Sequence, residues 1–523
     1  MSLRSAVDLL LSLGLLVGQA YAAQEPLTGD DRAACPNYAQ YSTYPQALAL
    51  PYQRPDPRCR TFHSDAIEKV IKDVTSRMKD SDLARLFENA FPSTTDTTVK
   101  FHTDGTDTRF VDLNGRSLRD EGKWEGPQSF IITGDIIAEW LRDSTNQLSP
   151  YQSLAKKDPA IFKLILGPST PRPNMLSSRR TAMRSNPHRL RTFSQDDVVH
   201  PIYEPSFVFE CKYELDSLAH FLALGNDFYE HTDSKDFLTG RWFLALETLL
   251  NVLEEQSRST FDPETGRFLK NEYTFQRKTD AGTETLNLKG VGNPLNNGTG
   301  LVRSAFRPSD DATILGFFIP ANAMMAVELK RTAAILKDAG KDVLAQTLEK
   351  WSQTITDGVW NNGVVKHAKY GDVFAYEVDG YGSSILMDDA NYPSLLALPL
   401  MGFLPPDDQT YRNTRKMLLE KTGNPYYLEG AAFRGIGGPH IGLSNAWPMS
   451  LLIQAQTSEN DEEISECLGL VLRSARLGLV HESVDVNRIS SYTRANGVFA
   501  ETILDLAKRK PHLIFTDGKP YSI

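Results

Sequence analysis

The chain has 523 residues, 41% of them hydrophobic and 23% charged, with a formal net charge of −10 and a pI of about 5.6. This is the composition of a folded globular protein, at a length that suits one large helical barrel or more than one ordinary domain. The acidic balance argues against a nucleic-acid partner, which calls for a basic face.

Residues 1–22 read as a secretory signal peptide. Arg4 supplies the charge, Leu9 to Val17 the apolar stretch, and Ala20-Tyr21-Ala22 a small-x-small cleavage site, with Asp8 an unfavourable charge among them. A retained signal anchor is the alternative, although the stretch is short for a bilayer. No later segment is apolar enough to span one, so the expected location is secreted or within the secretory pathway, in a wall, a vacuole or the Golgi. Residues 23–60 form an irregular, Pro-rich arm. Cys35 and Cys59 flank its Tyr-rich part and are expected to pair in an oxidising compartment. Cys211 and Cys467 fall in helical patterns and are expected as buried thiols. Asn297-Gly298-Thr299 is an N-glycosylation sequon.

The first helix is expected to open at Asp65, with Glu68 completing a capping box. Ile67, Val70, Ile71 and Val74 make its apolar face. Leu83, Leu86 and Phe87 mark a second, short helix. Between Thr98 and Ile132, Val99, Phe101, Phe110 and Val111 surround an Asp104-Gly105 turn, and Asn114-Gly115 follows; this is hairpin material. From Ile136 helices dominate. Their apolar faces include Trp242, Leu246, Leu249, Leu250 and Leu253, then Leu344, Leu348, Trp351 and Ile355, then Ile464, Cys467, Leu468, Val471 and Leu472. A strand-like piece at Val373 to Val378 interrupts them. No linker divides the chain after the arm, so residues 61–523 are expected as one all-α domain of helical hairpins about a common axis, with small β-hairpins in its loops.

The polar loops hold the chemistry. In Thr133 to Ser144, Trp140 offers a flat apolar face, Arg142 a rigid fork of donors, and Asp143 two acceptors. That trio suits a sugar ring, and it equally suits a helix-start salt bridge packed on a core Trp. Asp216 lies near the start of a helix whose apolar face includes Leu215, Leu218 and Leu222. Desolvation there would raise its carboxyl and keep the proton that leaving-group protonation needs; a carboxylate paired with Lys or Arg is the alternative. Glu482 follows the apolar run Leu477 to Val480, as a general base for water or a solvated helix-end charge. Arg307, Asp310 and Asp311 precede one helix, and Asp388, Asp389 and Asn391 another. A Gly437-Gly438-Pro439-His440 loop leads to Asn445-Ala446-Trp447. Each Asp-Asp pair alone suits a helix cap or calcium, but without EF-hand spacing. No Cys/His cluster has zinc spacing, so no metal site is expected.

Taken in order, these stretches resemble glycoside hydrolase family 125, the exo-α-1,6-mannosidases, in its fungal secreted form. The motifs are TGDIIAEWLRDSTNQLSPY from Thr133, CKYELDSL from Cys211, SAFRPSDDAT from Ser304, DDANYPSLLALPL from Asp388, GIGGPHIGLSNAWPMSL from Gly435 and VHES from Val480. The resemblance implies an (α/α)6 barrel that removes non-reducing-end mannose with inversion, without metal or other cofactor. It implies Asp216 as general acid and Glu482 as general base, a pair that inverting enzymes set about 6.5–9.5 Å apart. Arg142, Asp143, Arg307, Asp310, Asp388, Asn391 and His440 would bind hydroxyls, and Trp140 or Trp447 would stack on the ring. The expected partner is a mannose-containing oligosaccharide or mannan, bound by a monomer with no nucleic-acid partner.

Two stretches depart from the family. Residues 168–192 are rich in Arg, Ser and Pro where the family has a helix and an aromatic segment. The same nucleotides, read one base earlier, can encode a family-like segment. We hypothesise a frameshift here, and an intact transcript reading for the Arg-rich version would reject it. Residues 494–497 lack about five residues of the family pattern Tyr-Thr-Arg-Ser-Trp-Phe-Ala-Trp-Ala-Asn. The alternative function is therefore a non-catalytic or impaired mannan-binding barrel.

Overall fold

The computed structural model describes residues 49–105, 126–134, 136–169, 184–185, 197–202, 208–296, 298–488, 491–494 and 496–523. Helix accounts for 46% of the structure, with only short strands and no closed sheet, so the all-α expectation holds. The N-terminal arm ends in an ordered strap. Buried Arg54 bonds both Glu68 oxygens at 2.6 and 2.8 Å and Asp96 at 2.8 Å. Helix α1 (Asp65–Thr75) follows, capped by Ser64, whose Oγ accepts from Ile67 N–H at 3.3 Å. The expected capping box is not formed. With Ser64 as the cap, Glu68 stands one position too far along, and Arg54 and Arg60 take it instead.

After α2 (Ser81–Ala90), β1 (Val99–Thr103) pairs antiparallel with β2 (Gln128–Ile131), Val99 opposite Ile131 and Thr103 opposite Gln128. The partner of β1 is thus further along the chain than the expected Phe110–Val111, which lies outside the described residues. The remaining helices alternate. Helices α3 (Leu141–Leu148), α5 (Leu215–Thr232), α7 (Ile319–Asp338), α10 (Pro448–Gln456) and α12 (Asn496–Arg509) form an inner ring. Around it run α4 (Pro159–Ser169), α6 (Gly240–Gln256), α8 (Asp342–Gly363), α9 (Gln409–Leu418) and α11 (Asp461–Ser474). Contacts run from α12 to α3, α3 to α5, α5 to α7, and α10 to α12. Turns near residues 395–403 lie between α8 and α9 in the chain, and Phe403 among them stacks on Trp360 of α8 with ring centres 6.1 Å apart.

Burial is deepest in α5 and α7, where 13 of 18 and 14 of 20 residues are buried, against 8 of 17 in α6 and 7 of 22 in α8. Helices α5 and α7 are covered nearly all round, and α6 and α8 bury a single stripe. The piece expected at Val373–Val378 divides into two strands, Gly371–Phe374 and Glu377–Val378. Pro168 and Ser169 form the end of α4, so the departing stretch begins inside a helix. Most of 170–192 lies outside the described residues, as do Asn297 and Cys35. Cys59 is disulfide-bonded. Cys211 and Cys467 are free and buried, although Cys211 sits in the extended segment before α5 rather than in a helix. Among the described residues no helix is long and apolar enough to cross a membrane.

Candidate active site

Four of the inner helices begin without side-chain caps. Trp140, Glu214, Phe318 and Trp447 occupy the N-cap positions of α3, α5, α7 and α10, and none caps its helix through its side chain. Three of the outer helices, α6, α9 and α11, are capped by the side chains of Thr239, Asp408 and Asn460, as α1 and α2 are by Ser64 and Asp80. Strands or extended segments deliver the chain to the inner helices, and nearly all the sequence-predicted site residues sit on these entries. The positive ends of the helices favour the carboxylates gathered there.

Arg142, in the first turn of α3, crosses to the start of α5. Its Nη1 lies 2.7 Å from Glu214 Oε2 and 3.3 Å from Asp216 Oδ2, and its Nη2 3.6 Å from Asp143 Oδ2. Asp216 is fully buried, and its Oδ1 has no hydrogen-bond partner. Burial pushes its carboxyl up to about 6, against the pull of Arg142. Burial disfavours the Arg142 cation, but Glu214, Asp143, Asp216 and Asp310 outweigh it and hold the guanidinium charged. Asp310 stands at φ +70° in a tight loop, with its carbonyl 3.2 Å from Lys212 Nζ. The Trp140–Asp143 stretch thus forms the helix-start salt bridge over a packed Trp that its sequence equally allowed.

Arg307 is anchored by one edge. Its Nε donates to Glu377 Oε1 at 2.6 Å, while its buried Nη2 has no partner. Glu377 Oε2 in turn accepts from the N–H groups of Ile314 and Leu315, each at 2.9 Å. Asp388 is corrected. Both of its oxygens accept backbone N–H groups, of Leu395 and Leu396 at 3.0 Å each, and it is fully buried. It fastens the turn before residues 395–403 and has no oxygen aimed at a sugar. Its neighbour Asp389, named from sequence only as half of an Asp-Asp pair, keeps one oxygen unengaged instead. Asn391 donates to Asp389 Oδ1 through N and Nδ2 at 3.1 Å, and Oδ2 is unpartnered. A Cβ on Gly438 would lie 2.8 Å from that Oδ2, so only glycine lets the His440 loop approach. His440 Nδ1 lies 3.9 Å from the buried Asp311 carboxylate. Trp140 packs on Phe209 with ring centres 5.7 Å apart, and Trp447 is buried with Nε1 unpaired, so neither ring lies open.

Glu482 is half-buried on β3 (His481–Asp485), so it is not a helix-end charge. Strand β3 is held on both sides, by Asn445–Ala446 and by Ser491–Arg494. The chain then enters α12, which packs on α3. A separate cavity of about 720 Å³ lies further along the barrel axis, among His220, Glu328, Tyr392, Gln456 and Glu501. Neither Asp216 nor Glu482 lines it. His220 Nδ1 donates to the Asp216 carbonyl at 2.7 Å, and burial drives its ring down to about 3, so a neutral imidazole links the Asp216 backbone to the lining of this cavity.

A barrel of helical hairpins with a buried, proton-retaining carboxyl beside an arginine, at the converging helix starts, defines a glycosidase of the six-hairpin class. Residues 80–504 match the metal-independent alpha-mannosidases, GH125, and the chain belongs to that family. It is 50% identical over 497 residues to the Meiotically up-regulated gene 157 protein of Schizosaccharomyces pombe, a match covering 92% of this chain and 94% of that one. It also resembles a solved metal-independent alpha-mannosidase of Streptococcus pneumoniae in a non-productive complex with alpha-1,6-mannobiose. There the identity is 28% and the TM-score 0.74, over 85% of this chain and 99% of the other.

Proposed function

We propose that this chain hydrolyses the terminal α-1,6-mannosidic bond of a mannose oligosaccharide or mannan with inversion, in the secretory pathway or outside the cell. Asp216 donates its proton to the leaving oxygen as the C1–O bond breaks. Glu482 takes a proton from the water that attacks C1 from the opposite face, and the product is β-mannose. The observation that carries this is the burial of Asp216, whose carboxyl keeps its proton well above the ordinary carboxylate range. The linkage rests on the mannobiose bound to the streptococcal relative. Arg142, Asp143, Arg307, Asp389 and His440 supply hydroxyl contacts.

Proton NMR of α-1,6-mannobiose digestion tests the reading. β-Mannose is expected first, with Asp216→Asn and Glu482→Gln each losing turnover while binding persists. First appearance of α-mannose rejects inversion. Binding without release by the unaltered chain instead supports the mannan-binding barrel.

A further inference from the structure

One guanidinium faces two buried carboxylates. Glu214 is 1% exposed and Asp216 0%. Arg142 neutralises one negative charge, and a second uncompensated charge in this space is costly. The hydrogen bonds are unequal. Glu214 Oε2 accepts from Arg142 Nη1 at 2.7 Å and from Ser217 Oγ at 2.8 Å. Donors of this kind favour an ionised acceptor. Asp216 Oδ2 lies 3.3 Å from the same nitrogen, and its Oδ1 has no partner.

We propose that Glu214 is a positioning residue that allocates the proton: it stays ionised as the counter-ion of Arg142 and thereby leaves Asp216 protonated, ready to donate. This rests on the reading of Asp216 as general acid. The N-cap position of Glu214 agrees with it, since the side chain leaves the helix start uncapped and turns to Arg142 and Ser217 instead. The other charged or titratable groups about Asp216 are Asp143 from α3, Asp310 from the loop before α7, and Tyr213 and His220 from its own segment. None of them takes a bond from Arg142 as short as that of Glu214.

The test is the pH profile of kcat/KM for Glu214→Gln in the full chain. Two substrates are compared: α-1,6-mannobiose, and a dinitrophenyl α-mannoside whose leaving group needs no acid. Without the Glu214 charge, Arg142 turns to Asp216 and lowers its carboxyl. The alkaline limb, set by loss of the Asp216 proton, is expected to move down by about 1–2 pH units. Mannobiose hydrolysis at pH 7 then falls about tenfold per unit, while the activated substrate changes little. Ser217→Ala, which preserves the ion pair, is expected to shift the limb the same way by less, and it carries the test if Glu214→Gln fails to fold. An unmoved limb, or equal losses on both substrates, overturns the proposal. Asp216→Asn separates the two failures. If it still hydrolyses mannobiose, the general-acid assignment falls. If it loses mannobiose but keeps the activated substrate while Glu214→Gln leaves the limb unmoved, only the role of Glu214 falls.

Discussion

Asp388→Asn separates a structural carboxyl from a sugar ligand. Asp388 accepts the N–H groups of Leu395 and Leu396, both buried, so water cannot replace it. Asn offers one acceptor and turns an NH2 toward the other N–H. One buried donor is orphaned, at about 1–3 kcal/mol. That cost depends on pH. Burial raises the Asp388 carboxyl from 3.8 to about 8, so the folded state holds a proton that the unfolded chain releases. The wild-type contribution is then complete below pH 4 and is lost as pH rises toward 8, by up to about 1.4 kcal/mol per unit. Asn does not titrate. The variant should therefore be less stable at pH 4, with a gap that closes and then reverses as pH rises to 7, read by urea unfolding followed through tryptophan fluorescence. KM for α-1,6-mannobiose should stay unchanged. A tenfold rise in KM with unaltered stability would falsify this assignment and restore Asp388 to the sugar.

Two further outcomes concern the barrel axis and the His440 loop. Burial raises Glu501 to about 7, with Ser149 Oγ 2.9 Å away and no cation offsetting the charge. Its carboxyl also weighs against folding as pH rises from 4.5 to 7, so Glu501→Gln should stabilise the chain by up to about 3 kcal/mol at pH 8 and hardly at all at pH 4. Equal effects at both pH values in denaturant titrations would contradict that. Gly438→Ala places a Cβ against the Asp389 carboxylate at 2.8–3.1 Å, while its extended backbone tolerates alanine. The expected loss is about ten- to a hundredfold in kcat/KM through a displaced Asp389, with about 1–3 kcal/mol of stability. Unchanged kinetics would show that the loop yields instead.

The helical core was legible because periodic apolar faces are a local signal. Leu246, Leu249 and Leu253 are buried on α6 as their spacing implies, and Ile464, Cys467 and Val471 on α11. Strand partners were less legible, since β1 finds β2 across more than twenty residues and no local pattern encodes that pairing. The loops that carry the candidate site residues were legible, and the arrangement within them was not. Asp388 and Asp389 are adjacent and chemically identical, and only the fold decides which one meets backbone N–H groups. Glu214 stood inside a quoted motif two residues before Asp216. The signal that could have found it is a pair of carboxylates at the mouth of an apolar helix, which cannot both remain charged around one arginine.

The shortened stretch after Glu482 bears on where any impairment would fall. Strand β3 still pairs on both edges, with His481 opposite Arg494 and Asp485 opposite Asn445. At its start, Val480 N–H reaches Asn496 Oδ1 at 3.0 Å, which ties the strand to the first residue of α12. The backbone carrying Glu482 is thus anchored from three sides without the missing residues. What a loss of Ser-Trp-Phe-Ala-Trp removes is aromatic surface, which holds a sugar ring rather than moving its protons. The two residues proposed for proton transfer sit on separately anchored elements, Asp216 through Arg142 and the first turn of α5, Glu482 through β3. A weaker grip on the sugar is therefore compatible with intact acid–base machinery, and the catalytic reading does not depend on the departing stretch being complete.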